Sequence, residues 1–219
     1  MSEARRIAVI DVGLGNLRSV ERALRAALGE RVEVHRTEDP ARVRDAEVVV
    51  FPGQGAFGDC SVALNRHGAA LTRAVRDHID AGGPYLGICL GLQVLFEGSD
   101  EAPGRAGMGV FQGRVARLEP RTEADGTRVK VPHMGWNTVR SCHEGARWMP
   151  DGDWYYFVHS YAVRPEDPSV IAALCEHGDD FCCAVARDKL LGVQFHPEKS
   201  QRAGLDLIRR WFHAMGVTE

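Results

Sequence analysis

The sequence predicts an α/β fold, a mostly parallel open sheet flanked by helices, with a strand-rich C-terminal half. Over residues 1–104, four apolar runs alternate with segments of helical periodicity, which is the pattern of a parallel sheet covered by helices. Beyond residue 104, short apolar runs follow one another with turn residues between them, and helical patterns are scarce. The 219 residues, 44% of them hydrophobic, suit a single domain spanning residues 1–219.

The elements of the first half follow from the spacing of their apolar residues. RIAVID predicts the first strand, and the helix after it should begin at an Asn16 N-cap and end near Gly29. VEVHRTED and AEVVVFPG predict the second and third strands. One long helix is expected over roughly residues 59–80, and PYLGIC after it predicts the fourth strand.

The second half reads as a series of strands that ends in one helix. Its strands are predicted at GVFQGRVARLEP, TRVKVPHMGWNTV, WYYFVHSYAV, SVIAALCEH, FCCAVARD and LLGVQFHP. A last helix is expected from about Gln201, because Leu205, Ile208, Trp211 and Phe212 then share one face.

Charge and composition exclude several classes of function. The net charge is −3, from 27 basic and 30 acidic side chains, so there is no electrostatic reason to expect nucleic acid or an anionic membrane as a partner. The N-terminus shows no signal region, and no apolar run is long enough to span a bilayer. We therefore expect a cytoplasmic protein whose six cysteines are thiols. Without a Cys-x-x-Cys pair, neither a metal nor a cofactor is expected.

Cys89 stands where a strand, a tight turn and a helix are predicted to meet, which is the arrangement of a nucleophile elbow. Gly87 and Gly91 would allow the sharp turn, since Cβ atoms at those positions would collide. The N-terminus of the following helix would point at the sulfur and favour its thiolate form. A core cysteine followed by a helix fits the local sequence equally well.

His196 and Glu198, in GVQFHPEKS, supply the partners that a thiolate nucleophile requires. His196 ends an apolar run, and in an extended segment residues two apart project to the same side. Glu198 could then bind one imidazole nitrogen while the other faces Cys89. The alternative makes His196 a strand-end residue and Glu198 a neighbour of the last helix.

An oxyanion hole is the third requirement of this chemistry. The third predicted strand ends in Pro52, Gly53, Gln54 and Gly55, whose backbone N–H groups could turn toward a developing negative charge. The N–H of Leu90, directly after the cysteine, is the natural second donor. An ordinary strand-to-helix turn is the alternative for the glycine segment.

The pairing of GICLGLQ with GVQFHPEKS, about a hundred residues apart, closely resembles the class I, or triad, glutamine amidotransferases. The resemblance implies their flavodoxin-like α/β fold, a Cys89–His196–Glu198 triad and a γ-glutamyl thioester formed from glutamine. It also implies a set of contacts to the substrate glutamine, at Gly55, Gln93, Glu101, Ser160 and Tyr161.

IDVGLGNLRSV, VPHMGWNTV and YYFVHSYAV narrow the resemblance to the glutaminase subunits of imidazole glycerol phosphate synthase. Such a subunit passes ammonia to a separate (β/α)8-barrel cyclase, which forms imidazole glycerol phosphate and an aminoimidazole carboxamide ribonucleotide in histidine biosynthesis. The resemblance thus implies a cyclase bound in trans as a heterodimer. The implied partner surface consists of Asn16, Met134, Trp136, Asn137 and Tyr156.

Two positions depart from the expected pattern, and three alternatives stay open. Val12 stands where a tyrosine is expected, and Gln54 where a small aliphatic residue is expected between the glycines. From the residues alone, Trp136 fits core packing as well as a partner surface. The alternatives are a glutaminase serving another synthase, an α/β-hydrolase with cysteine as nucleophile, and a non-catalytic homologue. In α/β-hydrolases the acid precedes the histidine along the chain, whereas Glu198 follows His196.

Overall fold

The computed structural model describes residues 5–29, 32–122 and 128–218. Strands and helices alternate over the first half, as the sequence predicts. They are β1 (Arg5–Ile10), α1 (Leu17–Leu28), β2 (Val32–Thr37), α2 (Pro40–Arg44), β3 (Val48–Gly53), α3 (Phe57–Leu64), α4 (Arg66–Asp80), β4 (Tyr85–Cys89) and the one-turn helix α5 (Leu90–Gln93).

The second half is rich in strands, as predicted, and ends in a single long helix. Its elements are β5 (Gly98–Ser99), β6 (Gly113–Arg117), β7 (Arg121–Thr122), β8 (Arg128–Val129), β9 (His133–Thr138), β10 (Arg140–Ser141), β11 (Trp154–His159), β12 (Tyr161–Pro165), β13 (Ile171–His177), β14 (Asp179–Arg187), β15 (Leu190–Val193) and α6 (Gln201–Ala214). Short 3-10 helices lie at His143–Arg147, Pro168–Val170 and Pro197–Lys199.

One large sheet runs through the molecule in the order β2-β1-β3-β4-β15-β14-β12-β6-β5, and β13 and β10 extend it from β14. In this order β2, β1, β3, β4 and β15 run parallel to one another, and β14 pairs with β15 in the antiparallel direction. Because β4 and β15 are parallel neighbours, with Val193 paired to Ile88, their carboxyl ends meet at one edge. This pairing brings the segment after β15 beside Cys89, although more than a hundred residues separate them.

Helices cover both faces of the sheet, and each face has its own apolar core. On one face, α1 and α6 bury Leu24, Leu207 and Trp211 together with aromatic residues of β11. On the other face, α3 and α4 bury Phe57 and Val75 against β3 and β4. The Asn16 side chain caps α1 by accepting from the N–H of Ser19 at 3.3 Å, which confirms the predicted start of that helix.

The long helix predicted over residues 59–80 is wrong, because two helices occupy this stretch. The carbonyl of Ser61 accepts both the backbone N–H and the side-chain amide of Asn65, the latter at 2.8 Å. Asn65 itself has φ −93° and ψ 5°, so the first helix ends there and α4 starts in a new direction. The apolar inner face expected for the second part, including Leu71, Ala74 and Val75, is buried as predicted.

The predicted helix after Cys89 is present, and α5 is a single turn. The carbonyls of Val94 and Leu95 accept from the N–H groups of Met108 (2.6 Å) and Val110 (2.7 Å). These bonds tie the chain to a distant loop and leave no acceptors to continue the helix. A one-turn helix has little macrodipole, so the favourable field expected at the sulfur is weak.

None of the helices in the described ranges is long and apolar enough to cross a membrane. Nor does the described part of the chain contain a group of three or more His, Cys, Asp or Glu residues arranged to hold a metal ion. All six cysteines are free thiols, which confirms the prediction from the sequence.

Candidate active site

Cys89 sits on a strained turn at the carboxyl end of β4, with φ +54° and ψ −102°. A Cβ at Gly87 would lie 2.5 Å from the carbonyl oxygen of Gly91, and a Cβ at Gly91 would lie 1.8 Å from the carbonyl oxygen of Phe51. The buried Tyr85 hydroxyl donates to the Gly91 carbonyl at 2.7 Å and holds the turn from below. The predicted nucleophile elbow is therefore present, and the expected collisions are with backbone atoms.

His196 and Glu198 form a buried pair, with His196 Nδ1 2.7 Å from Glu198 Oε1 and the side chains 1% and 3% exposed. The sequence argument for this pairing was wrong about the backbone. β15 ends at Val193, and a 3-10 turn at Pro197–Lys199, rather than an extended strand, returns Glu198 to the imidazole. The backbone N–H of His196 donates to the carbonyl of Tyr156 at 2.9 Å, which fixes this turn against β11.

The imidazole of His196 lies between Glu198 and the sulfur of Cys89. Burial by itself lowers the pKa of His196, but its interactions with Cys89 and Glu198 outweigh burial and raise the pKa to about 9. Its Nε2 is buried and has no hydrogen-bond partner in standard geometry among the described residues. At neutral pH the arrangement therefore favours a protonated imidazole facing the sulfur of Cys89.

A cavity of about 350 Å³ opens above the sulfur, within the size range of small-molecule sites. All five predicted substrate contacts line it, namely Gly55, Gln93, Glu101, Ser160 and Tyr161. Gln54 and Leu90 line it as well, and Gly53 pairs with Cys89 across β3 and β4. Pro132, Val158, His159 and Lys199 complete the wall and were not predicted. The structure thus brings the separate sequence motifs to one cavity.

The segment predicted to form the oxyanion hole lies against the elbow. A Cβ at Gly53 would be 2.6 Å from the Cβ of Leu90, so only glycine allows this approach. Gly55 has φ +112°, a conformation that side chains other than glycine rarely adopt. The side-chain amide nitrogen of Gln54 is buried and has no hydrogen-bond partner among the described residues. Which backbone N–H groups would meet a bound oxygen stays a prediction.

Gln93 and Glu101 are fixed by hydrogen bonds at the cavity wall. The amide nitrogen of Gln93 donates to the carbonyl of Tyr161 (3.2 Å) and to the side-chain oxygen of Gln194 (3.1 Å). Because both N–H bonds are used, the carbonyl oxygen of Gln93 is the group that can accept from a ligand. Glu101 accepts from the N–H of Phe57 at 2.7 Å.

Gln194, which does not line the cavity wall, is a further residue of this site that sequence reasoning missed. It is fully buried, and its amide nitrogen lies 3.5 Å from the sulfur of Cys89 as a hydrogen-bond donor. The signal was present in GVQFHPEKS, where a polar residue interrupts an apolar run two places before His196. The same alternation that was used for His196 and Glu198 would have pointed to it.

The two-stranded sheet of β9 and β11 carries most of the predicted partner surface. Met134 and Trp136 are 63% and 43% exposed, and the Trp136 ring packs edge-on to Tyr156 with centroids 6.1 Å apart. Trp136 is therefore a surface residue, which excludes the core-packing alternative. Asn137 turns inward and donates to the carbonyl of Glu176 at 2.8 Å. Trp154, 57% exposed, lies on the same outer face and was not predicted.

Comparison with known proteins agrees with this geometry. The family model for glutamine amidotransferase class-I matches residues 8–215. "Imidazole glycerol phosphate synthase subunit HisH" of Dechloromonas aromatica (strain RCB) is 50% identical over 211 residues, which are 94% of each chain. The protein of the same name from Rhodopirellula baltica is 45% identical over 206 residues, 94% of this chain and 96% of that one.

Among solved structures, a crystal structure of a glutamine amidotransferase superposes with a TM-score of 0.70 at 20% identity, covering 96% of this chain and 98% of the other. At that identity the likeness bears on the fold alone, and it agrees with the α/β architecture described above. The relatives at 45–50% identity bear on the family. The chain belongs to the class-I glutamine amidotransferases and, within them, to the HisH subunits of imidazole glycerol phosphate synthase.

Proposed function

We propose that this chain hydrolyses glutamine to glutamate and ammonia through a thioester at Cys89, and that it delivers the ammonia to a separate barrel cyclase in histidine biosynthesis. The observation that carries the proposal is the cavity lined by Cys89 and the five predicted glutamine contacts, with the buried His196–Glu198 pair interacting with Cys89. Membership of the HisH family supports the pathway and the need for a partner subunit.

The geometry supports a sequence of steps in which one proton moves at a time. The Cys89 thiolate attacks the carboxamide carbon, and the oxyanion is stabilised by the N–H of Leu90 and by the Gly53–Gln54 segment, each donor lowering the barrier by about 3 kcal/mol. The imidazolium of His196 gives its Nε2 proton to the amide nitrogen, which leaves as ammonia. The neutral imidazole then takes a proton from water, and the resulting hydroxide releases glutamate and restores the thiolate.

Glu198 holds the charge and the orientation of His196, so Glu198→Gln tests this role through pH. In the unmodified chain, kcat/KM for glutamine should fall above pH about 9, where the imidazolium loses its proton. The carboxylate is one of the groups that raise this pKa, so in Glu198→Gln the fall should begin at lower pH. Activity at pH 8 should also drop by about 10²-fold or more. The measurement is a pH profile of glutaminase activity with the cyclase present.

The exposed Glu119→Gln provides the control, since it removes a surface carboxylate that is not part of the buried ion pair. Its pH profile should match that of the unmodified chain. An unshifted alkaline limb in Glu198→Gln would show that Glu198 does not hold the imidazolium.

We place the cyclase on the outer face of the β9–β11 sheet. Val158 lines the cavity and pairs across the strands with the exposed Met134, so the cavity lies at one end of this face. Trp136 and Tyr156 continue the face away from the cavity. Exposed aromatic residues are typical anchors of protein interfaces. Ammonia released at Cys89 would then leave toward the covered end without crossing bulk water.

Trp136→Ala should weaken binding of the cyclase by about 30-fold or more in Kd, because a truncated aromatic anchor at an interface costs at least about 2 kcal/mol. Trp154→Ala is the matched control, since Trp154 is an exposed tryptophan on the same face but two residues farther from the cavity. Titration of the cyclase followed by calorimetry gives both values. A Kd unchanged by Trp136→Ala would contradict the proposed docking face, whereas equal effects of the two variants would show that the contact extends along the face to Trp154.

Two alternatives to this function, an α/β-hydrolase and a non-catalytic homologue, can now be weighed against the structure and the comparisons. Family membership excludes an α/β-hydrolase. A non-catalytic homologue is opposed by the buried ion pair and by the cavity that reaches the sulfur. A glutamine-analogue electrophile that failed to label Cys89 in the complete complex would revive that alternative.

A further inference from the structure

The amide of Gln194 is the one neutral hydrogen-bond donor that the described residues place on the sulfur of Cys89. Gln194 follows β15 and is fully buried, and its backbone N–H donates to the carbonyl of Cys183 at 2.8 Å. Its main chain is therefore anchored to the sheet while its side chain reaches the elbow. A buried amide in a catalytic centre requires a reason, since each polar atom must be satisfied there.

The orientation of this amide is set by Gln93. The side-chain oxygen of Gln194 accepts from the Gln93 amide nitrogen at 3.1 Å, so the nitrogen of Gln194 must face the other way, toward the sulfur at 3.5 Å. The second N–H of the Gln93 amide donates to the carbonyl of Tyr161 at 3.2 Å. If the Gln194 amide were reversed, its N–H groups would face the N–H groups of Gln93, and its oxygen would face the thiolate.

Behind Tyr161 the chain of hydrogen bonds continues through two buried histidines. The Tyr161 carbonyl also meets His159 Nδ1 at 2.9 Å, and His159 Nε2 lies 3.1 Å from His133 Nδ1. His133 Nε2 is 3.2 Å from the amide nitrogen of Asn137. Since that nitrogen is a donor, His133 Nε2 accepts, and each following Nδ1–H donates to the next acceptor.

Both histidines must be neutral for this order, and their environment favours it. Burial lowers the pKa of His133 to about 3 and that of His159 to about 4, with the neighbouring histidines contributing in the same direction. Every bond in the chain then carries one hydrogen, from Asn137 on β9 to the sulfur. A network that is satisfied throughout is rigid, so its last member has a single orientation.

We propose that Gln194 is a positioning residue that aims the Cys89 sulfur into the cavity, held in place by Gln93 and by the His159–His133 pair behind it. The inference rests on the proposed function, since it concerns the nucleophile of that reaction. An N–H donor on a thiolate fixes the rotation of the cysteine side chain and keeps the charged sulfur solvated in a buried site. Gln194 itself does not line the cavity, so the turnover number rather than KM should carry most of the effect.

The test replaces Gln194 by Met, which keeps the length of the side chain but has no N–H donor. We expect kcat for glutamine to fall about 10- to 100-fold, as when a hydrogen bond to a charged group is lost, with KM within about twofold. The rate constant for alkylation of Cys89 by iodoacetamide should fall by a similar factor. Both measurements use the complex with the cyclase and its ribonucleotide substrate present.

The alkylation is made specific by a Cys142→Ser background. Burial raises the pKa of Cys60 and Cys182 to about 12, and raises that of Cys183 further, so these thiols stay protonated and unreactive. Cys175, also at about 12, behaves in the same way, whereas Cys142 is partly exposed. Val193→Ala is the matched control, since it creates a small cavity at the end of β15, next to Gln194, and removes no hydrogen-bond donor.

Unchanged kcat and alkylation in Gln194→Met, with glutamine hydrolysis intact in the unmodified chain, would overturn the inference and leave the proposed function standing. No hydrolysis in the unmodified complex would instead overturn the proposed function. If Gln194→Met does not fold, as judged by circular dichroism and thermal unfolding, Gln194→Glu serves in its place. It keeps an acceptor for Gln93 but sets a carboxylate beside the thiolate, and its kcat should fall further.

A double-mutant cycle tests the chain behind Gln194. His159→Leu should lower kcat several-fold by itself, because it frees the Tyr161 carbonyl and loosens Gln93. Combined with Gln194→Met it should add almost nothing, since the residue through which it acts is already gone. Fully additive losses would show that His159 does not act through Gln194.

Discussion

Cys89→Ala is expected to abolish glutamine-dependent synthesis by the complex with the cyclase, while synthesis from added ammonia survives. Removing the sulfur deletes the group that forms the thioester, and losses on the order of 10⁶-fold are known for such nucleophiles. Ammonia needs no thioester, so it can still reach the cyclase. The methyl of alanine fits where the cysteine stood, and the fold should be preserved because the strained φ of +54° is already tolerated by a side chain.

The assay compares product formation with glutamine and with ammonium at matched cyclase concentration. Cys142→Ala is the control, because it removes a partly exposed thiol far from the elbow and should leave both activities unchanged. Persistent glutamine-dependent synthesis in Cys89→Ala would mean that another residue is the nucleophile. Loss of both activities would mean that the variant no longer binds or supports the cyclase.

The alternation of strands and helices in the first half could be predicted because each element carries its own period. The elbow could also be predicted, because a Cβ at Gly87 would collide with the backbone of Gly91, only four residues along the chain, and glycine at both positions avoids the collision. The length of α5 could not, because the loop at Met108 and Val110, far along the chain, takes the carbonyls that would continue it. Local sequence carries no record of such long-range hydrogen bonds.

The site shows the same division between local and distant causes. The His196–Glu198 pair follows from a spacing of two residues, even though the backbone between them is a 3-10 turn. The placement of β15 beside β4 has no local signal, yet it is what brings His196 to Cys89. Gln194 carries a local signal, a polar residue within an apolar run, whereas the role of His159 becomes visible only through its contact with the carbonyl of Tyr161 on β12.

Among glycine-to-alanine substitutions in the described part of the elbow, Gly91→Ala is expected to lower the free energy of unfolding most. The added Cβ would lie 1.8 Å from the carbonyl oxygen and 2.8 Å from the carbonyl carbon of Phe51, which are backbone atoms of the central strand β3. Neither can move without separating β3 from β4. Alanine favours helices over glycine by about 1 kcal/mol, so propensity alone predicts stabilisation. The collision should dominate and lower the free energy of unfolding by more than about 4 kcal/mol.

Gly58→Ala is the matched control, since Gly58 is also helical but its Cβ would meet only the Ala102 methyl, at 3.1 Å. Thermal unfolding should show a melting temperature at least about 8 °C lower for Gly91→Ala and a change of no more than about 4 °C for Gly58→Ala. Any Gly91→Ala that remains folded should also lose glutamine hydrolysis, because the turn that presents Cys89 is the structure displaced. A stable and active Gly91→Ala would show that the elbow does not depend on the approach of Gly91 to Phe51.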